Sequence, residues 1–225
     1  MKTSLRYGVL FGALALMPLL NSCTKEESIT EDYANFDVAA MRQRVNQYPV
    51  ASLSAEEINS LNFMREEEKL ARDVYNGLAR HWKVNIFTNI AASEQTHMDA
   101  ILQLLNKYGL PDPIVSDGEG VFANEALRTL YLQLMERGSV SLLAAYQTGA
   151  YIEDLDINDL NNASEFIDNE DILYVYGNLN KGSRNHLRSF YRNVLRLNGT
   201  YTPSFLSQET FDAIISGQME TGPWW

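Results

Sequence analysis

A chain of 225 residues with 45% hydrophobic residues and only six prolines can bury a proper core, which excludes wholesale disorder and allows one domain plus extras, or at most two small domains. The formal net charge is −11; without the first 22 residues, which hold Lys2 and Arg6 and no acid, it is −13, from 16 basic and 29 acidic side chains. Such a surface repels nucleic acid and anionic lipid, and the single cysteine, Cys23, excludes a disulfide framework, a Cys-x-x-Cys metal site and a cysteine-ligated cluster.

Residues 1–22 read as an export signal. Lys2 and Arg6 form a basic start, and the apolar run from Tyr7 to Leu20 falls short of the roughly 20 residues that span a bilayer. It ends in Leu20-Asn21-Ser22-Cys23, which resembles a bacterial lipoprotein processing box in which the cysteine becomes the acylated first residue. Asn21 departs from the usual small residue, and the plainer reading is a signal peptide with an incidental cysteine. The lipoprotein also explains why the sole cysteine falls there. Lys25-Glu26-Glu27 looks like the surface-export signal of some Gram-negative lipoproteins. The expectation is a lipid anchor in the bacterial cell envelope, at the outer membrane, facing the periplasm or the surface.

Residues 23–53 form a polar tether. Within it Ala34, Val38, Met41, Val45 and Tyr48 recur at helical steps, so a short amphipathic helix is expected, ended by Pro49. The first long helix starts at Ser54, where Ser54-Ala55-Glu56-Glu57 is a capping box with Leu53 and Ile58 as its hydrophobic staple. Its inward stripe is Leu61, Met64, Glu68, Ala71, Tyr75 and Leu78. The second long helix runs from about Thr88 to Tyr108 and stops at Gly109, with Ile90, Glu94, His97, Ile101, Leu104 and Tyr108 on its stripe. A long connection, 109–140, holds a short helix from Asn124 to Arg137. The third long helix runs from about Ser141 to the low 160s, facing inward with Leu142, Tyr146, Gly149, Glu153, Asp156 and Leu160. The fourth runs from about Glu170 to Leu197 with Leu179, Ser183, His186, Phe190 and Val194 or Leu197. The extension 199–225 adds one short helix between Ser207 and Gly217. The expected fold is all-α. Residues 54–198 form four helices in up-down-down-up order with one long crossover between the second and third, the connectivity of a ferritin-like bundle.

Six of the inward residues do not belong in an apolar seam. Glu68, Glu94, His97, Glu153, Asp156 and His186 all fall near mid-helix. A buried unpaired carboxylate costs several kcal/mol or takes up a proton. Divalent metal resolves this, since cations neutralise the acids and ligands meet from four directions. Glu94-Gln95-Thr96-His97 is Glu-x-x-His, which places a carboxylate and an imidazole on one helix face. A lone motif of this kind is usually a solvated face; convergence from four helices changes that. The fourth helix offers Ser183-Arg184-Asn185-His186, with Ser183 where a fourth Glu belongs, and Asp156 is expected to supply the missing oxygen. Failing that, the site is asymmetric or holds one metal.

The segments from Phe63 to Tyr75, Ala92 to Met98 and Gly182 to Arg188 resemble an uncharacterised prokaryotic domain family, a domain of unknown function, in the ferritin-like superfamily. The resemblance spans about Leu53 to Ile214. Glu68 followed by Ala71, Arg72 and Tyr75 is also similar to the first helix of rubrerythrins, which pair two acids on their third helix, as Glu153 and Asp156 would be paired here. The resemblance implies oxygen, peroxide or ferrous-iron chemistry at two iron ions, with manganese as the alternative metal.

Other charged residues have plainer readings. Glu66 and Glu67 read with Lys69 as a charged outer face. Tyr75 reads as a core tyrosine or as support for a ligand. Asp154 and Asp159 would orient a ligating imidazole, although exposed helix charges are the default. The enzyme reading has Glu94 and Glu153 bridging two irons, with an oxidase, peroxidase or ferroxidase activity and a separate electron donor. The alternative is a non-catalytic surface lipoprotein that uses the bundle for metal binding or protein interaction. The helices can also pair between protomers in a homodimer. A storage cage fits poorly with lipid tethering.

Overall fold

The computed structural model describes residues 38–222, the side chain of Val38 apart. The signal segment, Cys23, the first part of the tether and the last three residues lie outside them, so the expectations for those positions do too.

Among the described residues there are seven helices and no strand: α1 (Val38–Val45), α2 (Ala55–Trp82), α3 (Asn85–Tyr108), α4 (Glu125–Gly138), α5 (Leu142–Ser164), α6 (Glu170–Arg196) and α7 (Gln208–Ser216). None of them is long and apolar enough to cross a membrane. The capping box at α2 is present: Ser54 Oγ accepts from the Glu57 amide at 3.0 Å, and Glu57 Oε2 accepts from the Ser54 amide at 2.8 Å. The other oxygen of Glu57 accepts from the Asn169 amide at 3.1 Å and from Asn169 Nδ2 at 2.8 Å. One glutamate thus serves the start of α2 and the start of α6. It also explains why Asn169, at the N-cap of α6, makes no side-chain cap of its own.

α2 runs to Trp82 and α3 begins at Asn85, three residues before the expected Thr88, so residues 83–84 alone join them. Lys83 turns the chain in the left-handed region (φ 56°), and Val84, the N-cap of α3, makes no side-chain cap bond. That missing cap is why the sequence hid the start of α3. Gly109 closes α3 at φ 66°, a conformation glycine adopts without strain.

The four long helices share two apolar layers. One holds Tyr75 and Leu78 of α2, Phe87 and Ile90 of α3, Tyr146 and Ala150 of α5, and Leu187, Phe190 and Val194 of α6. The other holds Leu61 and Met64, Ile101 and Leu104, Leu160, and Ile172, Val175 and Leu179. Chain order through the layers gives direction: α2 and α6 run from the second layer to the first, α3 and α5 the opposite way. The inward stripes are those expected, except that Leu197 is exposed while Val194 is buried. Between the two layers lies a polar one.

The outer face of α2 corrects the expectation. Every residue from Met64 to Tyr75 is buried, including Glu66, Glu67 and Lys69, which were expected on a charged outer face. For Glu66 and Lys69 the cause is the crossover, which lies along α2 and is tied to it in register, whereas Glu67 is covered from the other side, with Asp156 and Asp159 of α5 beside it. Arg65 pairs with Asp112 at 2.8 Å. Lys69 Nζ donates to the Gly118 carbonyl at 2.9 Å and to Asp73 at 2.5 Å. Arg72 reaches Asp117 at 2.7 Å, and Asp73 accepts from the Gly120 amide at 3.0 Å. Glu66 accepts from the amides of Ala123 at 2.6 Å and Asn124 at 3.0 Å, just ahead of α4.

The flanking short helices dock as well. Met41 and Val45 of α1 are buried, and Lys107 of α3 donates to the carbonyls of Val45 and Tyr48 at 3.0 and 3.1 Å. Beyond α6, Asp154 of α5 accepts from the amides of Ser204 at 2.5 Å and Leu206 at 2.9 Å and from the Tyr201 hydroxyl at 2.8 Å. Asp154 is therefore a fully buried anchor for the extension.

Candidate metal centre

The polar layer is built from residues that the helix period delivers to one level. α2 supplies Glu68, α3 supplies Glu94 and His97 three residues apart, α5 supplies Glu153 and Asp156, and α6 supplies Ser183 and His186. All are buried.

Two groups converge within the layer: Glu68, Glu94 and His97, and Glu94, Glu153 and His186, each offering ligand atoms within 4.8 Å of one another. Glu94 belongs to both and gives a different oxygen to each. Its Oε2 lies 2.7 Å from His97 Nδ1, and its Oε1 lies 2.9 Å from His186 Nδ1. His97 Nδ1 also meets Glu68 Oε2 at 3.1 Å, and His186 Nδ1 faces Glu153 Oε2 at 3.5 Å. Each imidazole nitrogen carries at most one proton, yet two carboxylates crowd it. Glu94 Oε1 accepts no well-directed hydrogen bond despite the nearby imidazole, and Glu68 Oε1 has no donor at all. The two rings lie 5.6 Å apart and nearly parallel.

The surroundings aim the groups. His186 Nε2 lies 3.0 Å from Ser93 Oγ, a contact on the outer side of the ring that keeps Nδ1 turned toward Glu94 and Glu153. A Cβ at Gly182 would sit 2.6 Å from His97 Nε2, so glycine there gives the ring its room. The Tyr75 hydroxyl donates to Glu153 Oε1 at 2.5 Å, leaving only Oε2 of Glu153 toward His186. Tyr75 therefore supports a candidate ligand while its ring packs 5.2 Å from that of Phe190. Ser183 Oγ donates to Asp156 Oδ2 and also lies 3.0 Å from the Leu179 carbonyl. Asp156 is buried beside the two groups, its Oδ1 without a donor, and belongs to neither of them. Asp159 is half-buried, accepts from Asn158 Nδ2 at 2.9 Å, and faces Glu67.

The electrostatics follow from excess acid in a dry layer. Burial pushes Glu68 up to about 7, although His97 pulls it the other way. Burial also raises Glu153 and, together with the charges of Glu68 and Glu153, takes Asp156 well above its ordinary value. For Glu94, burial would do the same, but His186 and His97 outweigh it and hold the carboxyl below the usual range. The imidazoles move the opposite way from what burial favours. Glu68 and Glu94 lift His97 well above 6.5, and Glu94 and Glu153 lift His186 to about 10. Such a layer keeps extra protons, and its carboxylates and imidazoles are groups that could hold a metal ion instead. Oxygen-rich donors with two imidazoles suit iron or manganese better than copper or zinc. These residues could hold two such ions, with Glu94 between them.

Two residues here were not singled out from the sequence. Ser93 lies inside the same segment as Glu94, but nothing in its type signals a bond to a helix three places on in the chain. Glu67 is buried with neither oxygen reached by a donor. Its neighbours are Asp156, Asp159 and Glu68, which with burial raise it well above 4.5. A run of three glutamates does not say which of them face inward.

Residues 57–218 match the family described as Uncharacterized protein domain (DUF2202). The chain is 50% identical over 182 residues to Uncharacterized protein MJ0754 of Methanocaldococcus jannaschii, covering 81% of this chain and 98% of that protein. It is also similar to the crystal structure of hypothetical protein MJ0754 from Methanococcus jannaschii, with a TM-score of 0.76 and 52% identity over 76% of this chain and 98% of that one.

Proposed function

The chain belongs to the DUF2202 family, and from that premise we propose that its four long helices are a ferritin-like bundle holding a carboxylate-bridged pair of iron ions that reacts with oxygen, peroxide or ferrous iron. The observation that carries this reading is Glu94, which gives one oxygen to each of two carboxylate–imidazole groups. The opposed helix directions support the ferritin-like connectivity. Manganese meets the same donors.

In this reading Glu68, Glu94 and His97 would hold one ion, and Glu94, Glu153 and His186 would hold the other. Bound iron supplies the electrons. The chain's own residues orient the donors, neutralise charge and exclude water: Ser93 holds His186, Tyr75 holds Glu153, Gly182 makes room for His97, and the apolar layers seal both ends. Asp156, held by Ser183, stands where a further oxygen is needed. Electrons for repeated turnover come from a separate donor. Acylation of Cys23 would anchor the protein in the bacterial envelope.

The test is oxygen and peroxide consumption by the chain loaded anaerobically with ferrous iron. Consumption well above that of free ferrous iron, lost in His97→Ala, is expected. A loaded protein that consumes neither would leave a non-catalytic metal-binding protein.

A further inference from the structure

The account so far leaves Glu67 without a role. It is 3% exposed, neither oxygen is reached by a donor, and the side chains facing it are acids. A glutamine or leucine would suit a buried helix position better, since an unpaired carboxylate there costs stability. Two further observations bear on it. The first is a groove of about 400 Å³ between α2 and α5, whose lining is largely apolar, with Phe63, Met64 and Phe166 in it, and whose charged groups are the carboxylates of Glu56 and Asp159, with no basic residue. The second is continuity. Asp159 is half-buried at the groove and neighbours Glu67, and Glu67 in turn neighbours Asp156 and Glu68 at the paired site.

We propose that Asp159 and Glu67 form the carboxylate path by which a divalent cation passes from this groove to the paired metal site. The inference rests on the two-metal reading above. Carboxylates at the mouth with no opposing cation concentrate divalent ions there. Glu67, with two free oxygens, receives the ion from Asp159 and hands it to Asp156, whose Oδ1 also lacks a donor, and to Glu68. Glu67 and Asp159 are stepping positions rather than a third resident site. Among the described residues only the two groups built on Glu94 bring three ligand atoms within 4.8 Å, and neither acid belongs to them. Two acids in a line hold an ion too weakly to trap it.

The experiment follows cobalt(II) uptake by the metal-free full chain in a stopped-flow spectrometer, using visible absorption for the rate and metal analysis for the end point. Glu67→Gln keeps size and shape and is expected to slow uptake roughly tenfold or more, while the end point stays at two equivalents, one for each group. Asp159→Asn, at the half-buried mouth, is expected to slow it by a smaller factor at the same end point. Unchanged rates with two equivalents bound would overturn the path and leave the paired site standing. A lower end point in Glu67→Gln would also overturn it, making Glu67 a resident ligand. No cobalt in the parent would defeat the paired site itself, and the path with it.

Discussion

The two charged faces of α2 are both buried, and they differ in how their charge is answered. On the face toward the crossover, Arg65, Lys69 and Arg72 meet Asp112, Asp73 and Asp117, and Glu66 meets two backbone amides. Opposite charges are paired there and Arg65 Nη1 is its one buried side-chain donor without an acceptor among the described residues, so that face is structural. On the face toward α3 and α5, the five acids Glu67, Glu68, Glu94, Glu153 and Asp156 are buried with two imidazoles as their cationic neighbours. Several oxygens there have no donor. Burial of charge alone does not mark a site; burial with an unanswered excess of one sign does.

The largest effect expected from breaking this contrast is on the balanced face. Asp73→Ala leaves the buried ammonium of Lys69 with the Gly118 carbonyl but no counter-charge and removes a partner of Arg72; it should cost about 3–5 kcal/mol, read by urea unfolding, while metal content is unchanged. The mirror change on the other face, Asp156→Asn, should raise the stability of the metal-free protein at neutral pH by about 1 kcal/mol, because it removes one of several like charges. If the two variants behaved alike, the distinction between the faces would fail.

A smaller effect is expected from pH. His186 is raised from 6.5 to about 10, His97 is raised as well, and Glu68 is raised from 4.5 to about 7. In each case the folded state keeps its proton to higher pH than the unfolded chain does. The stability involved is therefore full below the unfolded value and lost as pH rises through the folded one. Metal-free protein should lose thermal stability through neutral pH, first from Glu68 and then, up to about 10, from His186. Glu94, being lowered, acts only on the acid side of 4.5. Bound divalent metal takes the place of those protons, so melting curves of the loaded protein should lose this decline. A metal-free protein that gains stability between neutral and alkaline pH would contradict the reading. Smallest is Ser93→Ala, which frees the outer nitrogen of His186 and should weaken metal affinity by about tenfold, measured by competition with a chelator, with little change in unfolding.

Much of this was legible in the sequence because helices repeat every 3.6 residues and the inward stripes are long. Glu68, Glu94, His97, Glu153, Asp156 and His186 stand out as polar residues inside apolar stripes, and the structure places all six in one buried layer. The capping box at Ser54 announced the start of α2, whereas α3 begins without a side-chain cap and its first turn was missed. Glu67 turns toward α5 from within a run of three glutamates that does not show which of them face inward, while Glu66 and Lys69 misled for a different reason. Periodicity reports the face toward the main core, and it cannot foresee a second covering layer made by a crossover of turns. Asp154 was hidden in the same way, since its partners are backbone amides of an extension whose path has no period. Ser93 acts through one hydrogen bond to a candidate ligand, and such a pairing between distant positions leaves no pattern in one chain, whereas Tyr75, which bonds Glu153, lay on the inward stripe and was open to reading as a support.

The central claim is that Glu94 joins two metal ions. It is tested most directly by metal analysis of the full chain after anaerobic ferrous loading and removal of free iron, beside Glu94→Ala/His97→Ala and the fold control Asp73→Ala. The account predicts two equivalents in the parent and in Asp73→Ala, one for each group, and loss of both in the double variant. A folded parent without iron, or a double variant that keeps two equivalents, would contradict it.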